Sequence, residues 1–212
     1  MPKLHVSPTA QPAVDLHDDD VGHGTLGGGE VARYVGSYGT ARLARAVFAG
    51  AVPPYLYKAA DNPDGGLDDA TIAQFEAGVR TDRMAFLDTF TTQFFSVNGR
   101  LMVSEAQRVY ARDMAAFASP KGTLDCIGAF ARTDFRADLT QFKLPTLVIH
   151  AGADAIVPLE VSGVRTHKAI PGSHLKVIYG APPDGGAGGC RQRMPSTLCI
   201  CTDSRHCGCA WQ

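Results

Sequence analysis

Three segments of this 212-residue chain hold residue types that could support chemistry. A glycine-rich stretch, GHGTLGGGE, spans residues 22–30, and Asp154 lies in GADAIVP, directly after an apolar run. The third segment, CICTDSRHCGC, spans residues 199–209. Glycine-rich turns can present backbone N–H groups to an anion, and a carboxylate that follows a buried strand lies where open α/β sheets bind ligands. Closely spaced thiols are ligands for soft metal ions.

The glycine-rich segment does not match a phosphate-binding loop. It lacks the GK[ST] ending of a P-loop, and no convincing strand precedes it. The sequence therefore favours a structural loop or a catalytic turn over a nucleotide site.

The cysteines are concentrated in the C-terminal tail. Cys126 stands alone in the body of the chain. The other five lie within the last 23 residues, at Cys190, Cys199, Cys201, Cys207 and Cys209. Zinc sites usually separate paired cysteines by two to four residues, so these C-x-C pairs with His206 are an unusual metal set. Two interpretations stay open: a metal-binding tail, and out-of-frame translation of GC-rich coding sequence, which yields Gly, Arg, Pro, Ala and Cys.

Composition indicates a globular protein and argues against two classes of partner. Hydrophobic residues make up 45% and charged residues 19% of the sequence, which suits one domain with a packed core. A formal net charge of −1 predicts no basic face for nucleic acid. No run of about 18 apolar residues predicts a membrane span, and the N-terminal segment lacks an apolar stretch of signal-peptide length. We therefore expect a cytoplasmic protein.

Apolar runs and helical periodicity predict the α/β elements that would position these groups. A short helix is expected through Val31–Val35, ended by Gly36 and Gly39. The runs ARAVFAGAV (44–52) and LPTLVIH (144–150) are short and apolar, as in parallel strands covered on both faces. A helix over 161–170 and a strand over 175–179 would then complete a right-handed parallel crossover unit.

Residues 68–132 interrupt the α/β pattern with a helical stretch. Asp68 is the predicted N-cap of its first helix. Ser104 and Gln107 form a capping box ahead of a helix that runs to about Phe117.

Five segments carry a recognisable pattern, in this order along the chain: GGGEVARYVGSYGTARLARAVFAGAVPP (27–54), NPDGG (62–66), DCIGAFARTDFRADL (125–139), LPTLVIHAGADAIVPLEVSG (144–163) and LKVIYGAP (175–182). Together they resemble the cofactor-free (non-heme) chloroperoxidase and arylesterase family of the α/β-hydrolase superfamily. The resemblance implies an α/β fold, a mostly parallel sheet with an inserted helical cap. The family's first four strands have no counterpart in this chain, so we expect a partial α/β-hydrolase fold with exposed strand edges and poor stability.

The resemblance also implies a Ser, Asp, His triad with its serine on a strand-to-helix elbow. In such a triad the histidine removes the serine proton, the aspartate orients the histidine, and backbone N–H groups stabilise the oxyanion. The family elbow reads GHSxGGGE, whereas this chain reads GHGTLGGGE. Alignment from the GGGE side puts Thr25 at the serine position, and alignment from the GH side puts Gly24 there. Thr25 is a weak nucleophile candidate, because its methyl group crowds the strained turn; Gly24, Leu26 and Gly27 are the oxyanion and elbow candidates.

The acid position is better matched than the base position. Asp154 falls where the family has its triad aspartate, and a loop-capping aspartate is the structural alternative. The family ends its last strand with GAPHG, whose histidine is the base, but this chain has Pro183 there. His150 ends a core strand and is interpreted as a structural histidine.

Together these features predict an organisation and an activity. The predicted segments are an irregular N-terminus (1–20), the elbow, helix and strand (21–53), a helical cap (54–138), a C-terminal α/β unit (139–182) and a Cys/Gly-rich tail (183–212). The implied activity is ester hydrolysis and perhydrolysis without a cofactor, in which peroxide yields a peracid that oxidises halide. The expected partners are a small ester or carboxylic acid, peroxide and halide. Because the serine and histidine are altered, we expect impaired activity, and a non-catalytic remnant or a frameshifted product stays open.

Overall fold

The computed structural model describes residues 26–183, in which helices surround a small parallel sheet. In chain order the elements are α1 (Gly27–Tyr38), β1 (Ala46–Ala49), α2 (Asp69–Phe94), β2 (Ser96–Val97), β3 (Arg100–Leu101), α3 (Glu105–Ala116), α4 (Pro120–Arg132), α5 (Arg136–Leu139), β4 (Thr146–Ala151), α6 (Gly163–Ala169) and β5 (His174–Ile178). Among the helices of this part of the chain, none is long and apolar enough to cross a membrane.

Strands β1, β4 and β5 form one parallel sheet in the order β1-β4-β5. Every residue of the central strand β4 is buried, whereas β1 alternates between buried and exposed positions. Parallel pairing brings the carboxyl ends of all three strands to the same edge of the sheet. The predicted strands and the parallel β4–α6–β5 unit are confirmed. The prediction that both strands are covered on both faces holds for β4 but was wrong for β1, where Val47 and Ala49 are exposed.

Helix α1 approaches the sheet so closely that two of its glycines are required by packing. A Cβ atom added at Gly28 would lie 2.3 Å from the Cβ of Ala51, and one added at Gly29 would lie 2.6 Å from the ring of Phe135. Both glycines are buried. The glycine-rich segment therefore lets the first turns of α1 touch the chain that follows β1 and the chain that precedes α5.

The end of α1 is set by Gly39 and not by Gly36. Gly39 has φ 73°, and its N–H donates to the Val35 carbonyl at 2.8 Å. Gly36 stays inside the helix, where an added Cβ would overlap the carboxylate of Asp138. The prediction that Gly36 ends the helix was wrong, because this glycine makes room for α5.

Helices α2, α3 and α4 and the β2–β3 hairpin lie between β1 and β4 in the chain. Asp68 caps α2 by accepting from the Thr71 N–H at 2.8 Å, and the capping box of Ser104 and Gln107 starts α3, so both local predictions are confirmed. The division of the chain into a cap over 54–138 and flanking segments stays a prediction.

Two features of this helical region were not predicted. Helix α2 is broken at Asp82, which has φ −150° and ψ 92°, and its Oδ1 accepts from the Ala85 N–H at 3.0 Å. The β2–β3 hairpin turns through Asn98 and Gly99, which have φ 50° and 77°. Apolar periodicity continues past Asp82 and carries no signal for that break. The Asn-Gly pair, by contrast, is itself a sequence signal for a tight hairpin turn.

Apolar side chains form two clusters that meet at one residue. The larger lies between the sheet and its helices and includes Phe48, Leu56, Leu139, Val148 and Ile170. The smaller lies between α2 and α3, around Phe94, Phe95 and Ala111. Ile156 packs against both clusters.

Arg108 joins α2 to α3 through a nearly buried guanidinium group. Its side chain is 8% exposed, and its Nη1 lies 2.9 Å from Asp88 Oδ1 on α2. Its Nη2 lies 2.6 Å from Glu105 Oε1 on α3. These hydrogen bonds lower the pKa of the Asp88 and Glu105 carboxyls and raise the pKa of Arg108.

Replacing Gly28 by alanine is expected to destabilise the fold by about 1–3 kcal/mol, because the added methyl group overpacks the contact with Ala51. Gly27→Ala is the matched control: an added Cβ there has nothing within 4 Å among the described residues, and alanine favours a helix more than glycine does. The free energy of unfolding from urea titration compares the two variants. Equal losses in both would contradict this account of the packing.

The part of the Arg108 contribution to stability that depends on its carboxylate partners is expected to disappear on acidification. The folded pKa values of Asp88 and Glu105 are lowered, so their contribution is full above the unfolded values of about 4 and is lost as the pH falls through the folded values. The difference in unfolding free energy between wild type and Arg108→Met should therefore be larger at pH 7 than at a pH below the folded values of the two carboxyls. A difference that is the same at both pH values would contradict the assignment.

Candidate active site

Asp154 lies in the loop that follows β4, at the carboxyl edge of the sheet. Its side chain is 1% exposed. Oδ1 accepts two backbone hydrogen bonds, from the N–H of Ile156 at 2.9 Å and of Val157 at 2.7 Å. The contacts of a loop-capping aspartate are therefore present. They also hold the carboxylate still, as a group that orients a catalytic base requires.

His150, the penultimate residue of β4, contacts the same loop. It is 1% exposed, and its Nε2 lies 2.8 Å from the carbonyl oxygen of Val157 and 3.6 Å from Asp154 Oδ2. The interpretation of His150 as a buried structural histidine agrees with these contacts. The contact of His150 with the loop of Asp154 was not predicted, although His150 and Asp154 are only four residues apart in the sequence, at the end of a strand.

The elbow candidates lie partly within the described residues. Thr25 and Gly24 lie outside them. Leu26 precedes α1, packs against the larger apolar cluster, and its carbonyl accepts from the N–H of Gly29 at 2.8 Å. Gly27 is the first residue of α1, and among residues 26–183 a Cβ atom added to it would meet nothing within 4 Å.

Pro183, which the resemblance assigns to the position of the family's histidine base, lies at the same edge. Pro183 is buried, and its carbonyl oxygen would lie 3.2 Å from a Cβ atom added at Gly50, the residue after β1. Proline has no side-chain group that can accept or release a proton. The described residues therefore bring Asp154 and Pro183, which the resemblance assigns to the acid and base positions, to one edge of the sheet.

Metal chemistry finds no support in residues 26–183. Within them, no group of three or more His, Cys, Asp and Glu side chains could hold a metal ion. Cys126 is an exposed free thiol. The cysteine-rich segment that raised the metal hypothesis lies outside the described residues.

Comparisons with known proteins agree with this geometry, although no family model matches the sequence. A Synechocystis protein provisionally named a non-heme chloroperoxidase is 40% identical over 177 residues, which cover 82% of this chain and 63% of the relative. The bifunctional esterase/perhydrolase of Acinetobacter calcoaceticus is 34% identical over 164 residues, 76% of this chain and 59% of the relative. The crystal structure of a bromoperoxidase from Bacillus anthracis matches with a TM-score of 0.77 and 57% identity, covering 79% of this chain and 61% of that one.

The chain spans about three-fifths of the length of the relatives it matches. Its parallel sheet with helices inserted between β1 and β4 is a partial α/β-hydrolase fold. The sequence identities and the fold together show that this chain belongs to the non-heme chloroperoxidase and esterase family of the α/β-hydrolase superfamily.

Proposed function

We propose that this chain is a hydrolase of the non-heme haloperoxidase and esterase type whose turnover is impaired at the nucleophile and base positions. The observation that carries the proposal is the placement of Asp154. This carboxylate is buried, accepts two backbone hydrogen bonds, and follows the central strand at the carboxyl edge of the sheet. An α/β sheet binds its ligands at this edge.

The proposed chemistry is acyl transfer. A hydroxyl group attacks an ester carbonyl, the alcohol leaves, and water releases the carboxylic acid from the acyl-enzyme. Where hydrogen peroxide replaces water, the released product is a peracid. The peracid then oxidises halide: peracid, halide ion and one proton give carboxylic acid and hypohalous acid. The relative named an esterase/perhydrolase supports the ester and peroxide steps, and the relatives named chloroperoxidase and bromoperoxidase support the halide step.

Each candidate residue has a role in this proposal. Asp154 would accept the ring N–H of a histidine base, and the backbone N–H of Leu26 would donate to the oxyanion. Thr25 would supply the hydroxyl group. Pro183 stands where the base belongs, and general base catalysis alone contributes about 10²–10⁴-fold to such a reaction. We therefore propose small esters, carboxylic acids, peroxide and halide as substrates and no cofactor; a cytoplasmic location stays a prediction of the sequence.

A non-catalytic remnant is the second candidate, and the proline at the base position favours it. The two candidates differ in what repair would achieve. An impaired hydrolase retains an acid and an oxyanion site that become useful once nucleophile and base are restored, whereas a remnant does not.

The test is to repair the two altered positions and then remove the acid. Wild type is expected to hydrolyse 4-nitrophenyl acetate no faster than Thr25→Ala. The double variant Thr25→Ser/Pro183→His should gain at least about 10²-fold in kcat/KM. Adding Asp154→Asn should abolish the gain, because the amide cannot orient the protonated base. Far-UV circular dichroism checks that each variant is folded.

The matched control places the histidine one residue earlier, in Thr25→Ser/Pro182→His, and should show no gain. A folded double variant without added turnover would favour the remnant. Wild-type turnover that Thr25→Ala removes would defeat the remnant.

A further inference from the structure

We infer that His150 is a positioning residue for Asp154: its imidazole holds the loop after β4 through the carbonyl of Val157, and so fixes where the carboxylate lies. This inference rests on the proposed role of Asp154. It gives a role to the buried titratable side chain that the proposed chemistry leaves unused.

The backbone N–H and the backbone carbonyl group of Val157 both make hydrogen bonds. Its N–H donates to Asp154 Oδ1 at 2.7 Å, and its carbonyl oxygen lies 2.8 Å from His150 Nε2. A carbonyl oxygen can only accept, so Nε2 carries a proton that it donates to Val157. Two hydrogen bonds, both made by the backbone of Val157, therefore link His150 to the carboxylate of Asp154.

The imidazole ring itself is confined. It is 1% exposed, and a Cβ atom added at Gly163 would lie 2.9 Å from its Cβ, Cγ and Nδ1 atoms. The first turn of α6 thus closes one side of the ring. Ser162 anchors that turn, because its buried hydroxyl group contacts the carbonyl oxygens of Ala51 and Pro53 in the chain after β1. The ring can hold the loop because the first turn of α6 confines it, and that turn is itself anchored to the chain after β1.

A shift of the loop would matter for catalysis. Displacing a reacting or orienting group by about 1 Å can cost about 10²-fold in rate. The carboxylate lies near the imidazole as well, with Asp154 Oδ2 3.6 Å from Nε2. Removing the Nε2 donor would leave the Val157 carbonyl without that donor, and the loop would then have to move or admit water.

The decisive variants are His150→Gln and His150→Asn, which are both polar and uncharged. The amide nitrogen of glutamine can take the place of Nε2, whereas that of asparagine lies near Nδ1 and cannot reach Val157. Amide hydrogen exchange of Ile156 and Val157 is the measurement. His150→Gln is expected to retain their protection, and His150→Asn to lose about tenfold, as expected for one broken hydrogen bond. Amides of the α3 helix report global stability and should stay unchanged.

His167 provides the control. Its Nδ1 lies 2.8 Å from Ser173 Oγ, in contact with neither Asp154 nor Val157 by hydrogen bonding in the described residues. His167→Asn should leave the Ile156 and Val157 amides unchanged. If His150→Asn does not fold, the wild-type chain decides: nuclear magnetic resonance of ¹⁵N-labelled histidine should show a slowly exchanging proton on Nε2 of His150. An Nδ1–H tautomer would overturn the inference.

Activity separates this inference from the proposed function. In the Thr25→Ser/Pro183→His background, His150→Asn should lower kcat about 10²-fold and His150→Gln should restore it. If that background is inactive but the amides respond as expected, the proposed function fails and the loop contact stands. If the background is active and His150→Asn changes neither the amides nor kcat, His150 is not a positioning residue.

Discussion

The central strand β4 is the constraint on which the rest of the described fold depends. It pairs in parallel with β1 on one side and β5 on the other, and all six of its residues are buried. Parallel pairing aligns the carboxyl ends of the three strands, so the chain after each strand emerges at one edge. Residues that are distant in sequence, such as Gly50, Asp154 and Pro183, are brought to that edge by this pairing alone.

Burial of β4 sets the chemistry of the loop that follows it. A carboxylate that is 1% exposed must have its lost hydration replaced by hydrogen bonds, and the N–H groups of Ile156 and Val157 supply them. His150 supplies a donor on the other side of the same peptide segment. A group that a loop holds in this way is suited to orient another residue, and the same contacts explain why the structural and catalytic interpretations of Asp154 do not conflict.

The helical region between β1 and β4 is held by interactions of a different kind. Arg108 links α2 to α3 through carboxylates, and Ile156 joins the apolar cluster there to the larger one. The loop that carries Asp154 and Ile156 therefore lies where the two clusters meet. Pro183 is also buried, at the end of the described chain.

The sequence by itself determined the features that depend on near neighbours. The caps at Asp68 and Ser104, the apolar strands and the assignment of Asp154 to a loop after a strand all follow from residues within a few positions of one another, whose hydrogen bonds and periodicity are local. Tertiary structure alone decided the rest. The glycines at 28 and 36 are required by Ala51 and Asp138, which lie far along the chain, and the His150 ring is confined only when Gly163 of α6 packs against it. Contacts of this kind depend on which surfaces pack together, and a pattern of residue types along one chain does not record them.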